Sequence, residues 1–313
     1  LQRTIDVFVP NQEYYAPSKS IVTVIIGHDA YLTSWAFPHM RDKYLLYIDV
    51  LGFRNLARTN PQRVYDLYRV VASLNVHDSD SFAAIVFSDT IIIYNTSEPI
   101  DGPDSASAVM FLCEFAQDFL YRLTGYELFF RAVLTRGPFE HYYLNQVPCF
   151  FGEALIDAYQ SEKQIKATGL FIHNSCQPYN RIYATTRFDD TWSFVFLTQR
   201  MTELEDMHFG LLPLNKIEAL DTDLPWLLGP EVLYLKAIYE NATSQTDASV
   251  REKYSNAWSL YARRYPVATE TLVSEKFSLS AVSPDFDWQQ LLNRTPEDYA
   301  WASRRRNVST PER

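Results

Sequence analysis

Between Tyr44 and Leu197 the apolar positions change period several times, and each change marks an element. Tyr44 to Val50 is a short unbroken apolar run of strand type, and Gly52 breaks it. Asn60-Pro61 then supplies an N-cap followed by proline in a first helical turn. Val64, Leu67, Tyr68, Val71 and Leu74 follow at helical spacing. Phe82 to Phe87 and Thr90 to Tyr94 read as two strands, with Ser88-Asp89 as a tight hairpin between them. A second helix is predicted from about Pro103 to Leu123, with Val109, Leu112, Cys113, Ala116, Phe119, Leu120 and Leu123 on one face. Glu127 to Leu134 is a fourth strand, ended by Arg136-Gly137-Pro138. Cys149 to Phe151 is a fifth, and Gly152 opens a helix from Glu153 to about Lys166. Arg181 to Thr186 and Ser193 to Leu197 complete the strands.

This order is strand, helix, strand, strand, helix, strand. It predicts an α+β fold of the ferredoxin-like βαββαβ kind, an antiparallel sheet backed by helices, in which strands 1 and 3 are neighbours. Beyond residue 200 the texture becomes helical: Trp226 to Tyr239 and Ser249 to Tyr265 are predicted helices, with the polar stretch Asn241 to Asp247 between them. The expected organisation is an N-terminal arm over 1–40 with an edge strand at Val22 to Ile26, a compact domain over 41–200, a helical extension over 201–302, and a disordered tail over 303–313.

Charge changes this picture at two places. Asp49 sits in Tyr44–Phe53 and Asp89 in Ile85–Tyr94, stretches otherwise poor in charge. A carboxylate in an apolar strand is costly unless it is paired or binds a cation. Two of them, brought together by neighbouring strands 1 and 3, suggest a site for one or two hard metal ions, with the backbone carbonyl of Ile48 or Val50 completing the shell. The structural alternative is that Asp49 caps the following turn and Asp89 is a hairpin residue.

The chain has 313 residues, 47% of them hydrophobic, enough for one large domain with an extension. Its net charge of −10 argues against a broad nucleic-acid-binding surface. Three scattered cysteines, Cys113, Cys149 and Cys176, read as reduced thiols in a cytoplasmic protein. No apolar run reaches the ~18 residues of a membrane span, and no signal peptide is evident. In that setting the acceptor pattern Asn241-Ala242-Thr243 is idle.

Four segments resemble the motifs of the class III nucleotidyl cyclases over roughly residues 42–200. Ile48-Asp49-Val50-Leu51-Gly52-Phe53 matches the strand ending in Asp-x-x-Gly-Phe. Phe87-Ser88-Asp89 matches the hairpin Gly-Asp, with serine for glycine. Phe130-Arg131 through Thr135-Arg136-Gly137-Pro138 matches the arginine strand, and Gly152 through Glu162 the fourth motif in outline. The resemblance implies catalytic roles for Asp49 and Asp89, a two-metal site of Mn²⁺ or Mg²⁺, and a homodimer with shared sites. It places Arg131 on the triphosphate. The purine-selecting lysine and polar residue fall on Ile85 and Cys149, so a standard adenine pocket is not supported; Ile85, Phe87, Cys149 and Tyr159 become candidates for the base pocket by position. The family's asparagine and transition-state arginine fall on Ile156 and Gln160, which makes Arg136 a candidate replacement. The turn Val50 to Arg54, with Gly52 and Phe53, is a candidate phosphate cradle through its N–H groups, with Phe53 itself in the core. Lys163 and Lys166 read as exposed helix lysines.

In texture the chain is most similar to the bacterial pyrimidine cyclases of the Pycsar anti-phage systems. That implies UTP, favoured over CTP, as substrate, cUMP or cCMP as product, and a cyclic-nucleotide receptor acting through the product. The alternative is a degenerate cyclase homologue that binds nucleotide and signals through its dimer without chemistry, which the missing asparagine and arginine favour. A diguanylate cyclase or polymerase relative is a weaker option, for no Gly-Gly-Asp/Glu-Glu-Phe run occurs.

Overall fold

A computed structural model describes residues 40–97, 102–124, 126, 128–214 and 224–289. These belong to one compact unit, Met40–Arg313. The expected arm, its edge strand and the C-terminal tail lie outside the described residues.

A seven-stranded sheet organises the unit. Strand β1 (Asp42–Val50) is flanked by β3 (Thr90–Asn95) and β4 (Phe130–Pro138), both antiparallel to it, and β2 (Phe82–Phe87) pairs outside β3. The order β2-β3-β1-β4 is that of the expected ferredoxin-like sheet. Beyond β4 the sheet continues with β7 (Gly169–His173), β9 (Trp192–Val195) and β8 (Thr185–Arg187). The β4–β7 pair is parallel, so the sheet is mostly rather than wholly antiparallel. Strands β5 (Glu140–Leu144) and β6 (Val147–Phe151) form a separate hairpin.

The sequence explains these elements locally. Short β-branched and aromatic runs make the strands. Helix α1 (Phe53–Thr59) starts at Gly52, whose φ of 78° lies in the left-handed region that glycine tolerates. Helix α2 (Pro61–Ala72) has the predicted proline in its first turn, where the missing N–H costs nothing. Helix α3 (Pro103–Thr124) buries Val109, Leu112, Cys113, Ala116, Phe119, Leu120 and Leu123, the predicted stripe. Helix α4 (Glu153–Gln164) follows the hairpin, and α5 (Gln199–His208) follows the last strand.

One strand boundary and two strands differ from expectation, and α4 ends at Gln164 rather than near Lys166. β4 does not end before Arg136-Gly137-Pro138 but runs through it, because Asp42, Lys43 and Tyr44 of β1 provide pairing partners there. The fifth strand is half of a hairpin whose first half, β5, carried no strand pattern; Asn145, at φ 57°, turns it. Strand β7 is five residues long, too short to show a period.

The C-terminal helices are α6 (Leu224–Ser244), α7 (Ala248–Arg264) and α8 (Pro266–Ser274). Asp247 caps α7 by accepting hydrogen bonds from the Ser249 and Val250 N–H groups. These helices share the core of the sheet: Phe129 meets the Tyr234 and Tyr254 rings at 6.2 and 5.1 Å, and Phe194 meets Tyr261 at 5.5 Å. Among the described residues no helix is long and apolar enough to cross a membrane.

Candidate active site

Residues directly opposite one another in paired strands share a face, and that face alternates along each strand. Asp49 stands opposite Thr90 on one side and Arg131 on the other, and Thr90 stands opposite Phe87. One row therefore reads Phe87, Thr90, Asp49, Arg131 across four strands. The next row on that face reads Ile85, Ile92, Tyr47, Val133. The opposite face carries Ile48 with Ile91 and Ala132.

The hairpin between β2 and β3 delivers Asp89 to this row. The Val50 N–H donates to the Asp89 carbonyl at 2.9 Å, which ties the hairpin to the end of β1. Ser88, where the family pattern has glycine, adopts φ 57°, so the turn needs the left-handed conformation although the residue disfavours it. The Tyr68 hydroxyl donates to the Ser88 carbonyl at 3.1 Å and steadies the turn. Asp49 and Asp89 are both half-buried, and the Asp89 charge reaches Asp49.

Burial pushes the Asp49 carboxyl above its ordinary pKa, the Arg131 guanidinium pulls it down, and Asp89 pushes it up again. Arg131 Nη2 lies 3.7 Å from Asp49 Oδ2. The same guanidinium pairs with Glu162 of α4 and donates to the Ile165 carbonyl at 2.7 Å. Its Nε is buried and unpaired. Burial lowers the Arg131 pKa while Asp49 raises it.

This donor set suits a hard divalent cation. Asp49 and Asp89 offer carboxylate oxygens of the kind Mg²⁺ and Mn²⁺ take, and their mutual repulsion is what a cation relieves. Among the described residues no three or more His, Cys, Asp and Glu side chains gather to hold a metal, so remaining ligands would be backbone and substrate oxygens. Of the two predicted carbonyls, Val50 fits and Ile48 does not. Ile48 faces Ile91 across a fully paired stretch, where its carbonyl is taken by the ladder. Val50 lies past the last β1–β3 pair, and its N–H and C=O leave the strand on the edge where Asp89 sits.

Several expected residues are placed otherwise. Arg136 stands opposite Tyr44, five residues from Asp49, so about 17 Å away along β1. It lies on the opposite face, with Nε 3.4 Å from Asp42 Oδ2 and its guanidinium over the Tyr44 ring. It does not reach a phosphoryl group held at the Asp49 of its own chain. Arg131 is engaged by Glu162, Ile165 and Asp49 rather than offered to a triphosphate; it acts on the site through Asp49. The predicted phosphate cradle is smaller than expected, since the Val50 and Leu51 N–H groups are taken by the Asp89 and Phe129 carbonyls. Gly52 makes the turn and Phe53 is in the core.

The base-pocket candidates do not converge on one point. Ile85 lies on the aspartate face, two strands or about 10 Å from β1. Phe87 is exposed beside Thr90. Tyr159 reaches the same face from α4, its ring 6.3 Å edge-on to Tyr47, and carries the Lys163 ammonium over it. Cys149 is on the separate hairpin, whose His141 Nδ1 meets the Tyr94 hydroxyl at 2.6 Å; Tyr94 stands opposite Leu45, about 14 Å down β1 from Asp49. Within one chain Cys149 is not part of the Asp49 site.

Two residues that matter here were given no role by the sequence. Glu162, 4% exposed, looks like an ordinary surface position in Ser161-Glu162-Lys163. Lys253 of α7 is electrostatically coupled to both Asp49 and Arg131 from far along the chain.

No protein-family model matches the chain, and no curated protein does. Solved structures do. One is the monomeric guanylyl cyclase domain of the RhoGC fusion protein from the aquatic fungus Blastocladiella emersonii. It is 13% identical, with 50% of this chain and 95% of that one covered at a TM-score of 0.41. Another is the guanylate cyclase domain of RhGC from Catenaria anguillulae in complex with GTP, 14% identical over 50% and 97%, at 0.40. A third is the adenylyl cyclase CyaB from P. aeruginosa, 9% identical over 50% and 94%, at 0.35. The chain is thus similar, over half its length, to nearly whole adenylyl and guanylyl cyclase domains.

Proposed function

We propose that this chain is a metal-dependent nucleotide cyclase, converting a nucleoside triphosphate to the 3′,5′-cyclic monophosphate and diphosphate. The observation that supports this reading most is the Val50–Asp89 backbone bond, which with the β1–β3 register sets the Asp89 hairpin beside Asp49 at one end of a β2-β3-β1-β4 sheet. In the reaction the ribose 3′-oxygen attacks the α-phosphorus, its proton passes to solvent water, and the bond from that phosphorus to the diphosphate oxygen breaks, leaving the electron pair on the diphosphate. Bound divalent cations would favour loss of the 3′-hydroxyl proton and neutralise charge on the phosphates. Asp49 and Asp89 hold the site's negative charge, Arg131 favours the ionised form of Asp49 against the burial that opposes it, and Glu162 with the Ile165 carbonyl fixes Arg131 in place.

The finer reading is a pyrimidine substrate, UTP over CTP, and a Pycsar-type anti-phage role. Its support is the sequence resemblance and the apolar Ile85 where purine cyclases carry lysine. A homodimer is supported by exposed apolar side chains on the hairpin and the aspartate face, among them Phe87, Tyr143, Leu144 and Val147. In a dimer Cys149 and Ile85 of one subunit can serve the aspartates of the other.

Incubation of the purified protein with each of the four triphosphates and Mn²⁺, read by mass spectrometry, tests both levels. Cyclic UMP or CMP is the expected product. Only cAMP or cGMP would sink the pyrimidine assignment; no cyclic product would sink the cyclase. Asp49→Ala and Asp89→Ala are each expected to cost more than about 10³-fold in turnover.

A further inference from the structure

The C-terminal helices do more than cover the sheet. Between them and the Gly52 turn lies a cavity of about 510 Å³. Leu51, Gly52 and Asn55 wall it on the β1 side, and Lys253 on the α7 side. It opens at the same end of the sheet as Asp49, because Gly52 and Leu51 directly follow the aspartate's strand and Phe129 directly precedes β4.

Lys253 is half-buried in this wall, and among the described residues no carboxylate lies within ion-pair distance of it. The charges of Arg131 and Asp49 both reach it, as do those of Lys166 and, more weakly, of Asp247 at the start of its own helix. The middle of α7 is held against the site by the Asn256 side-chain amide, which donates to the Lys166 carbonyl at 2.6 Å, one residue beyond the carbonyl that receives Arg131. Arg63 adds a second cation to the cavity and Glu240 its one carboxylate. Glu240 sits 3.8 Å from Lys236 on its own helix. The balance is cationic, beside a pair of aspartates suited to divalent metal, and the arginine expected to meet the triphosphate is committed to Glu162.

We propose that Lys253, carried by the C-terminal extension, is the cation that receives the β- and γ-phosphates of the substrate and the departing diphosphate, with the cavity beside Gly52 as their subsite. The inference rests on the cyclase reading for its chemistry. When the bond between the α-phosphorus and the diphosphate oxygen breaks, the electron pair stays on that oxygen, and an ammonium beside it stabilises the charge that develops. Each active site is then completed from its own subunit by a helix outside the βαββαβ sheet.

The test is inorganic diphosphate binding with Mn²⁺ by calorimetry, run on the full chain with Lys253→Met, Lys253→Arg and, as a charge control on the exposed side of α7, Arg263→Met. Lys253→Met should weaken diphosphate binding by roughly tenfold or more, the loss of one charge-assisted contact, and Lys253→Arg should restore most of it. Arg263→Met should stay within twofold of wild type. Equal weakening by Lys253→Met and Arg263→Met, or no weakening by Lys253→Met in a chain whose melting temperature is unchanged, overturns the subsite. The cyclase reading is judged separately by product formation: cyclic product with unaltered diphosphate affinity in Lys253→Met keeps the cyclase and rejects the subsite. Lys253-dependent diphosphate binding without cyclic product keeps the subsite and rejects the cyclase. A wild-type chain that binds no diphosphate overturns the subsite outright.

Discussion

The Asp49–Arg131–Glu162 chain can be taken apart with three variants. The Arg131 and Glu162 side chains are 6% and 5% exposed. Removing one partner of so buried a pair strands the other charge and costs roughly 3–5 kcal/mol, whereas replacing both by apolar side chains is near neutral. Glu162→Met should therefore lower the melting temperature by roughly 6–20 °C, and the double variant Arg131→Met/Glu162→Met should recover most of that loss. The pH dependence separates this network from a purely structural pair. Binding of Mn²⁺ requires ionised aspartates, so it is lost as pH falls through the Asp49 pKa. Arg131 lowers that pKa against the burial that raises it. In the double variant the acid limb of Mn²⁺ binding should move to higher pH even though stability is regained. Urea denaturation and Mn²⁺ titration between pH 4 and 8 measure both quantities. A Glu162→Met cost below about 1 kcal/mol would put the pair in a wetter place than described. An acid limb that stays put, or moves down, in the double variant would show that Arg131 does not act on Asp49.

Other consequences follow from single positions. Ser88→Gly relieves a serine at φ 57° in the hairpin that carries Asp89, and should stabilise the fold by about 0.5–1 kcal/mol in urea denaturation with no loss of turnover. Arg136→Met should leave turnover within about twofold and cost no more than about 1 kcal/mol, because it removes a partly exposed pair with Asp42 on the far face. Glu231 is buried without exposure, accepting from the Arg200 and Met201 N–H groups at 3.0 and 2.7 Å and from the Tyr121 hydroxyl. Burial pushes its carboxyl up to about 7 from 4.5, so its favourable contribution is fully present below about 4.5 and is lost as pH rises through about 7. Stability measured in urea should fall over that window, and Glu231→Gln should flatten the fall.

Local pattern alone determined the order of the first strands and helices through α3, the apolar stripe of α3, and the proline start of α2. It also set one aspartate near the end of an apolar strand and another in the hairpin between two apolar strands. These are local facts: period, capping and turn chemistry act within a few residues. With strands 1 and 3 as neighbours, the placement of the Asp89 hairpin beside the end of β1 could be foreseen as well. Register decided the rest. Arg131 and Arg136 are five residues apart on one strand, so they face opposite ways and lie at different distances from Asp49. The motif that pairs them in sequence separates them in space. Strand β5 and the parallel β7 are stabilised by partners rather than by their own pattern, and so were not legible. Glu162 and Lys253 reach the site only because α4 and α7 pack against the same end of the sheet. A charge far along the chain becomes a neighbour only when the core that holds both helices has formed, and nothing in the local sequence of either residue records that contact.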